Sequence, residues 1–459
     1  MAERSGLALR LAGRLVACAV MLPSSSPAWA AGSAAVQPLL VLGIPVDFIL
    51  FALTLLGVAV FHNQTLQVAL SGLAAVTFYK VVFTGFTFGT GLVGLALHMQ
   101  HEWVSLGNLF LLLMGFALLS RHFEKSELPG LLPNYLPDDW KGGFFLLLLV
   151  CFISSFLDNI AAALIGGVVA RQVFSGRVHI GYLAAIVAAS NAGGAGSVVG
   201  DTTTTMMWID GVSPLQVVDA YVAALVAVVI CGVIAAHQQH AYQPILKDAP
   251  TGIHIDWMRV LIVFMILTAA VAANILANQY AKSLLDLVPV LGLAIWLVIL
   301  GTSRLRRPDW EIMPETLKGT IFLLALVTMA SMMPVDRLPP PSWQTSMGLG
   351  FVSAVFDNIP LTALALKQGG YDWGMLAYCV GFGGSMIWFG SSAGVALANM
   401  YPEAKSVTRW VSSGWHVTLA YVIGFFVMLA VLGWHPDVDR KKSDLPIQGI
   451  VIGSIDIPR

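Results

Sequence analysis

Charged residues are scarce in this chain. Lys and Arg number 24 and Asp and Glu 25 among 459 residues, 11% together, where a soluble domain carries roughly 25%. So few charges cannot coat a water-facing globule. The near balance, a formal −1 at pH 7, gives no basic face for nucleic acid and no acidic tract for a cationic polymer. Cysteine is equally sparse. Cys18, Cys151, Cys231 and Cys379 each sit in an apolar run and share no metal-like spacing, so they read as small core hydrophobes. No cofactor motif is present.

Apolar residues fill the space that charge leaves. Hydrophobic side chains make up 57% of the sequence and mean hydropathy is +0.81. Stretches of about 20 apolar residues, the length that crosses a bilayer's hydrocarbon core, recur along the chain. Residues 1–30 read as a signal peptide or an N-terminal helix, with Arg4, Arg10 and Arg14 ahead of Leu15–Leu22 and Ala28-Trp29-Ala30 as a small-x-small site. Spans are expected near 40–61, 64–84, 103–121, 181–209 and 216–237, then near 257–279, 284–302, 319–333, 372–400 and 411–433.

Two segments fit no single span. Residues 142–174 and 343–367 are long apolar stretches broken in the middle by Asp-Asn. Each is too long for one helix and too short for two spans with a loop, so each reads as a re-entrant helical hairpin. Arg121, Lys125 and Lys141 precede the first hairpin and Arg171 and Arg177 follow it, which places both its ends in the cytoplasm. Arg304, Arg306, Arg307, Lys318, Lys405 and Arg409 fall on that side too, while Lys282, Arg337, Lys367 and the basic tail at Arg440, Lys441 and Lys442 are exceptions.

The chain also echoes itself. Ser154-Ser155-Phe156-Leu157-Asp158-Asn159-Ile160 returns as Ser353-Ala354-Val355-Phe356-Asp357-Asn358-Ile359, an interval of 357 − 158, or 199, residues. Gly193-Gly194 and Gly200-Asp201-Thr202 return as Gly383-Gly384 and Gly390-Ser391-Ser392, an interval of 383 − 193, or 190. The expected fold is therefore an all-α polytopic membrane protein of two inverted repeats, 38–237 and 257–433, with a polar tail over 434–459. Each repeat holds about five transmembrane helices, one hairpin and an unwound helix after it. Inverted repeats with broken helices mark secondary transporters, whose sites lie near the midplane.

Asp158 and Asp357 sit deep within the two broken segments, and Asp201 lies in the glycine-rich span after the first. A carboxylate at the bilayer centre costs roughly 2.5–3.5 kcal/mol on insertion scales, which makes function the default reading. A cap on the following half-helix is the plainer role for Asp158 and Asp357, and the two roles are compatible. Around Asp201, four glycines fall within eight residues, Gly193 to Gly200, and each costs about 1 kcal/mol in a helix interior. Helix breaks are expected at Gly193, Gly194 and Gly200, and at Gly383, Gly384 and Gly390. Freed carbonyls, a carboxylate and threonine hydroxyls are hard oxygen donors that suit an alkali cation. The mirror segment offers Ser385, Ser391 and Ser392 in place of an acid. Lys80, in mid-span, either neutralises one of the aspartates or snorkels. His98, His101 and Glu102 read as a solvated interfacial face, and Met332-Met333 and the tryptophans as fillers and interface anchors.

At these motifs the chain resembles the NhaD-type sodium/proton antiporters, kin to citrate, dicarboxylate and arsenite carriers. The likeness rests on Phe156-Leu157-Asp158-Asn159, Asn191-Ala192-Gly193-Gly194, Gly200-Asp201-Thr202-Thr203-Thr204, Asp357-Asn358-Ile359-Pro360 and Leu376 through Gly394. It implies an ion and proton site of Asp158, Asn159, Asn191, Asp201, Thr203, Thr204, Asp357, Asn358, Ser391 and Ser392, with Na+ at the three acids. It also implies a homodimer in a bacterial inner membrane, with small ions and lipid as partners. Ile160-Ala161-Ala162-Ala163 departs from the family, which tends to carry threonines there. Sodium/proton antiport is thus the expected activity. Organic-anion transport is the rival within the superfamily, and intramembrane aspartyl proteolysis is the rival outside it, where Val198 spoils the Gly-x-Gly-Asp signature.

Overall fold

The structure, a computed structural model, describes residues 40–41, 43–61, 64–128, 136–246, 254–280 and 287–437. The expected leader, Cys18, Lys282, the basic tail residues and the tail beyond 437 lie outside them. The described part is an all-helical membrane protein apart from one small strand pair, β1 (Leu40–Val41) and β2 (Ile44–Pro45). Five of its helices are long and apolar enough to cross a bilayer, and shorter apolar helices fill the spaces between them.

The first helices are α1 (Val46–Val60), α2 (Thr65–Tyr79), which continues into a π-helical turn at Lys80–Thr84, and α3 (Gly91–Glu124). Helix α3 is longer than the expected 103–121. No proline interrupts residues 91–124, so it spans about 50 Å at 1.5 Å per residue. Its extension corrects one expectation. His98 is 3% exposed rather than solvated, with Nε2 3.0 Å from Ser331 Oγ.

The first broken segment comprises α4 (Trp140–Ser154) and α5 (Asn159–Val173); α6 (Ile180–Ala195), α7 (Thr202–Ile209), the short α8 (Pro214–Val218) and α9 (Ala220–Tyr242) follow. Next come α10 (Trp257–Tyr280), α11 (Val290–Thr302) and α12 (Met313–Ser331). The second broken segment is α13 (Trp343–Ser353) with α14 (Asn358–Gln368), followed by α15 (Trp373–Gly383), α16 (Ser392–Met400), α17 (Val407–Ser413) and α18 (Trp415–Leu432). At 15 residues each, α4 and α5 reach only about 22 Å, short of a core about 30 Å thick.

Packing sorts these helices into two groups that cut across sequence order. Helices α1, α2, α3, α10, α11 and α12 pack on one another, and α4 to α9 pack with α13 to α18. The groups meet where α12 lies on α14 and α3 on α7. At that seam the Lys367 ammonium donates to the backbone oxygens of Ser331 and Met333 at the end of α12. A cation over helix-terminal carbonyls is a favourable cap.

The tryptophans divide between the two expected roles of filler and anchor, and the paired methionines are fillers. Trp208, Trp373, Trp388 and Trp410 are buried, as are Met332 and Met333, whereas Trp103, Trp257, Trp310 and Trp415 are exposed. Cys151, Cys231 and Cys379 are free and buried, as expected of small hydrophobes.

The first group closes over a charge cluster in the loops. Lys125 Nζ lies 2.6 Å from Asp309 Oδ2 and Arg121 Nη2 lies 3.1 Å from the same oxygen. The hydrogen bond from Lys125, helped by Arg121, holds the Asp309 carboxyl below the usual carboxylate range. A depressed pKa adds stability above the unfolded value and loses it as pH falls through the folded one. Asp309→Asn is thus expected to lower the melting temperature slightly at neutral pH, as befits a surface pair. The difference from the parent should shrink as pH falls below 3.8 and vanish only once pH is below the depressed pKa of Asp309; thermal unfolding in detergent followed down that range measures it.

Candidate functional site

Two helices are buried on all sides. From Gly181 to Ala195, α6 exposes nothing, and neither does any residue of α15. A helix without a polar face belongs in the interior. Each then stops in mid-protein, at 196–201 after α6 and at 384–391 after α15, before α7 and α16 begin.

The breaks start later than the sequence suggests. Gly193 and Gly194 are helical residues of α6, and Gly383 is the last residue of α15; Gly200, Gly384 and Gly390 lie in the breaks or at their edge. The helical glycines serve close approach. A Cβ on Gly193 would stand 1.9 Å from the Cys151 carbonyl oxygen, and one on Gly383 would stand 2.3 Å from that of Gly350. Seryl hydroxyls fasten the same joints. Ser154 Oγ donates to the Ser190 oxygen at 2.5 Å, and Ser353 Oγ to the Val380 oxygen at 2.7 Å. Sequence reasoning left Ser154 and Ser353 out of the site, although both stand within the echoed segments.

The two hairpin turns each present an acid that caps the helix beyond. Asp158 Oδ2 accepts from Ile160 N at 3.3 Å and Asp357 Oδ1 from Ile359 N at 3.2 Å. Asp201 caps α7 in the same way, with Oδ1 accepting from Thr203 N at 3.1 Å. The plain capping role is therefore real, and each carboxylate keeps oxygen capacity beyond it. Asp357 Oδ2 accepts from Ser392 Oγ at 3.0 Å.

Asparagines stitch the parts together. Asn159 Nδ2 donates to Asn191 Oδ1 at 3.1 Å, and Asn191 Nδ2 donates to Ser385 Oγ at 2.9 Å and to Ser391 Oγ at 3.2 Å. Asn358 Nδ2 donates to Asp201 Oδ2 at 3.3 Å, joining the second hairpin to the first break. Asp201 is 2% exposed and lies near enough to Asp158 and Asp357 for their charges to act on it. The threonines divide their work. Thr203 supplies its backbone N–H, while Thr204 Oγ1 donates to the Ser197 oxygen at 2.6 Å and Thr205 Oγ1 to the Val198 oxygen at 2.9 Å. Both hydroxyls thus go to backbone oxygens of the break.

All ten expected residues gather around the two hairpin turns and the two breaks. Asp158 is the least connected of the three acids, since its side-chain hydrogen bond stays within its own turn. Among the described residues no lysine or arginine forms an ion pair with Asp158, Asp201 or Asp357. Lys80 is paired elsewhere, 3.6 Å from Asp47 Oδ1 in the first group of helices. Both are buried, so it neither snorkels nor neutralises a site acid. The expected reading missed Asp47 because it stands close to the start of its span, where an acid draws no notice.

No protein-family profile matches the chain. Among curated proteins it is 26% identical over 357 residues to "Sodium/proton antiporter 1" of Arabidopsis thaliana, covering 67% of this chain and 58% of that protein. It is 27% identical over 351 residues to "Na(+)/H(+) antiporter NhaD" of Alkalimonas amylolytica, covering 64% and 68%. The protein of that name from Vibrio parahaemolyticus is 26% identical over 314 residues, covering 56% and 72%. The chain thus spans a little over half the length of the plant relative.

Proposed function

We propose that this chain is an NhaD-type antiporter, as its similarity to proteins so named suggests, and that it exchanges sodium ions for protons through the carboxylates of Asp158, Asp201 and Asp357. The observation that carries the reading is Asp201. Its carboxylate is 2% exposed, is met by an amide from the opposite hairpin, and has no basic partner among the described residues. A buried acid without a fixed counter-charge is stable with a proton or a cation aboard, and the two compete for the same oxygens.

The same geometry speaks against an organic anion. Helix N-termini bind anions through their free N–H groups. At both hairpin turns those groups already face Asp158 and Asp357, so an incoming carboxylate meets negative charge.

The proposal includes two halves of opposite orientation, 38–237 and 257–433, with re-entrant hairpins whose turns reach the bilayer's middle. Support comes from contacts made twice at corresponding positions, Gly193 against Cys151 and Gly383 against Gly350, and Ser154 and Ser353 on the helix beside each. Rocking of the hairpin-bearing group against α1, α2, α3, α10, α11 and α12 would expose the site to each side in turn. A homodimer in a bacterial inner membrane completes it.

Energised everted vesicles containing the protein provide the test. Sodium is expected to collapse the pH gradient and citrate to leave it intact. Collapse by citrate alone would overturn the reading.

A further inference from the structure

Among the glycines of α15 and the break after it, one has room for a side chain. A Cβ on Gly383, Gly384 or Gly390 would press to within 2.3–2.7 Å of a backbone oxygen, so packing alone forbids it. Gly381 differs. A Cβ there would meet Ala195 Cβ at 3.4 Å, Asp201 Oδ2 at 3.5 Å and the Asn191 backbone oxygen at 3.8 Å, all ordinary contacts. Gly381 is helical, and alanine would favour that helix by about 1 kcal/mol. Neither packing nor backbone conformation calls for a glycine here.

What the missing methyl leaves is a small space faced by two oxygens from separate places, the Asp201 carboxylate and the Asn191 carbonyl. We propose that this space receives the transported cation, and that Gly381 sets the size of ion that Asp201 can bind. The inference rests on the sodium/proton reading and names a position within it. A hard cation of calcium's size, which sodium closely matches, bonds oxygen at about 2.4 Å. A sodium held by both oxygens on this side shares the volume that a methyl on Gly381 would fill. Lithium, close to magnesium in radius, bonds at about 2.1 Å and sits deeper against the oxygens. Asn358, whose Nδ2 lies 3.3 Å from the same Oδ2, borders the space and turns its amide as the ion arrives.

The test compares the parent with Gly381→Ala and Gly143→Ala in proteoliposomes. Gly143 is a control of equal roominess, since its Cβ would meet only side-chain carbons of Tyr182, Ala236 and Phe174 at 3.5–3.7 Å. Thermal unfolding is measured alongside the apparent KM for sodium and for lithium. Gly381→Ala is expected to fold as the parent does and to raise the sodium KM roughly tenfold or more, with a clearly smaller rise for lithium. Gly143→Ala should change neither constant. Unchanged constants in Gly381→Ala, or equal rises for both ions, overturn the inference while the antiport reading stands. A Gly381→Ala protein that fails to fold shows that packing requires the glycine, which also overturns it. Absence of sodium-dependent proton movement in the parent removes the antiport reading and this one with it.

Discussion

Asp201→Asn is expected to reduce sodium-driven proton movement to the background of empty vesicles while the protein stays folded. Asparagine is as good an N-cap as aspartate, so its Oδ1 can keep the 3.1 Å bond from Thr203 N that starts α7. The new amide N–H2 would face Asn358 Nδ2, which now donates to Asp201 Oδ2. A turn of the Asn358 amide exchanges its nitrogen for its oxygen and restores a donor–acceptor pair. Local structure therefore survives. The exchangeable charge does not, because an amide can neither release a proton nor balance a sodium ion. Vesicle assays beside thermal unfolding separate the two effects, and full exchange by Asp201→Asn would rule out Asp201 as the coupling acid.

Gly193→Ala and Gly383→Ala are expected to damage assembly severely. The added carbons would lie 1.9 Å from the Cys151 oxygen and 2.3 Å from the Gly350 oxygen, and both obstacles are backbone. No rotamer relieves such a contact, so α4 must move off α6, or α13 off α15. Either displacement breaks the hydroxyl bond from Ser154 or Ser353 that fastens the joint. Overpacking of this kind costs about 1–3 kcal/mol, occasionally more. A melting temperature lowered by several degrees is expected in each variant, with exchange activity reduced in step. Parental stability in both would mean that the hairpins are less tightly seated than the geometry indicates.

The sequence carried the helix breaks at 155–158 and 354–357 because Asp-Asn in the middle of an apolar stretch has no other easy explanation, and because it occurs twice. Asp158 and Asp357 stood out for the same reason, and Asp201 because it follows four glycines in an apolar span. The position of the breaks was less legible. Glycine both weakens a helix and permits close approach, and composition does not say which; Gly193 and Gly194 turned out to serve approach within α6. Asn191 bonding across to Ser385 and Ser391 was beyond reach, since nearly 200 residues separate partners that only the packing of α6 against α15 unites. Lys80 met neither expectation, since its partner is Asp47, a residue with no motif around it. His98 was misread because an imidazole near a span's end can sit in water or against a neighbouring hydroxyl, and the pattern of α3 is equal for both.

On the proposed exchange, the engagement of Lys80 by Asp47 bears on how tightly sodium and proton movement would be tied. With that ammonium occupied, Asp158, Asp201 and Asp357 have no resident base to balance them among the described residues. An unloaded carrier would then have to drag bare anions past hydrocarbon, at roughly 2.5–3.5 kcal/mol for each carboxylate at the centre. Cargo of either kind cancels that penalty. On the proposed exchange, that penalty would suppress futile return trips, with the membrane itself as the ratchet that keeps slippage low.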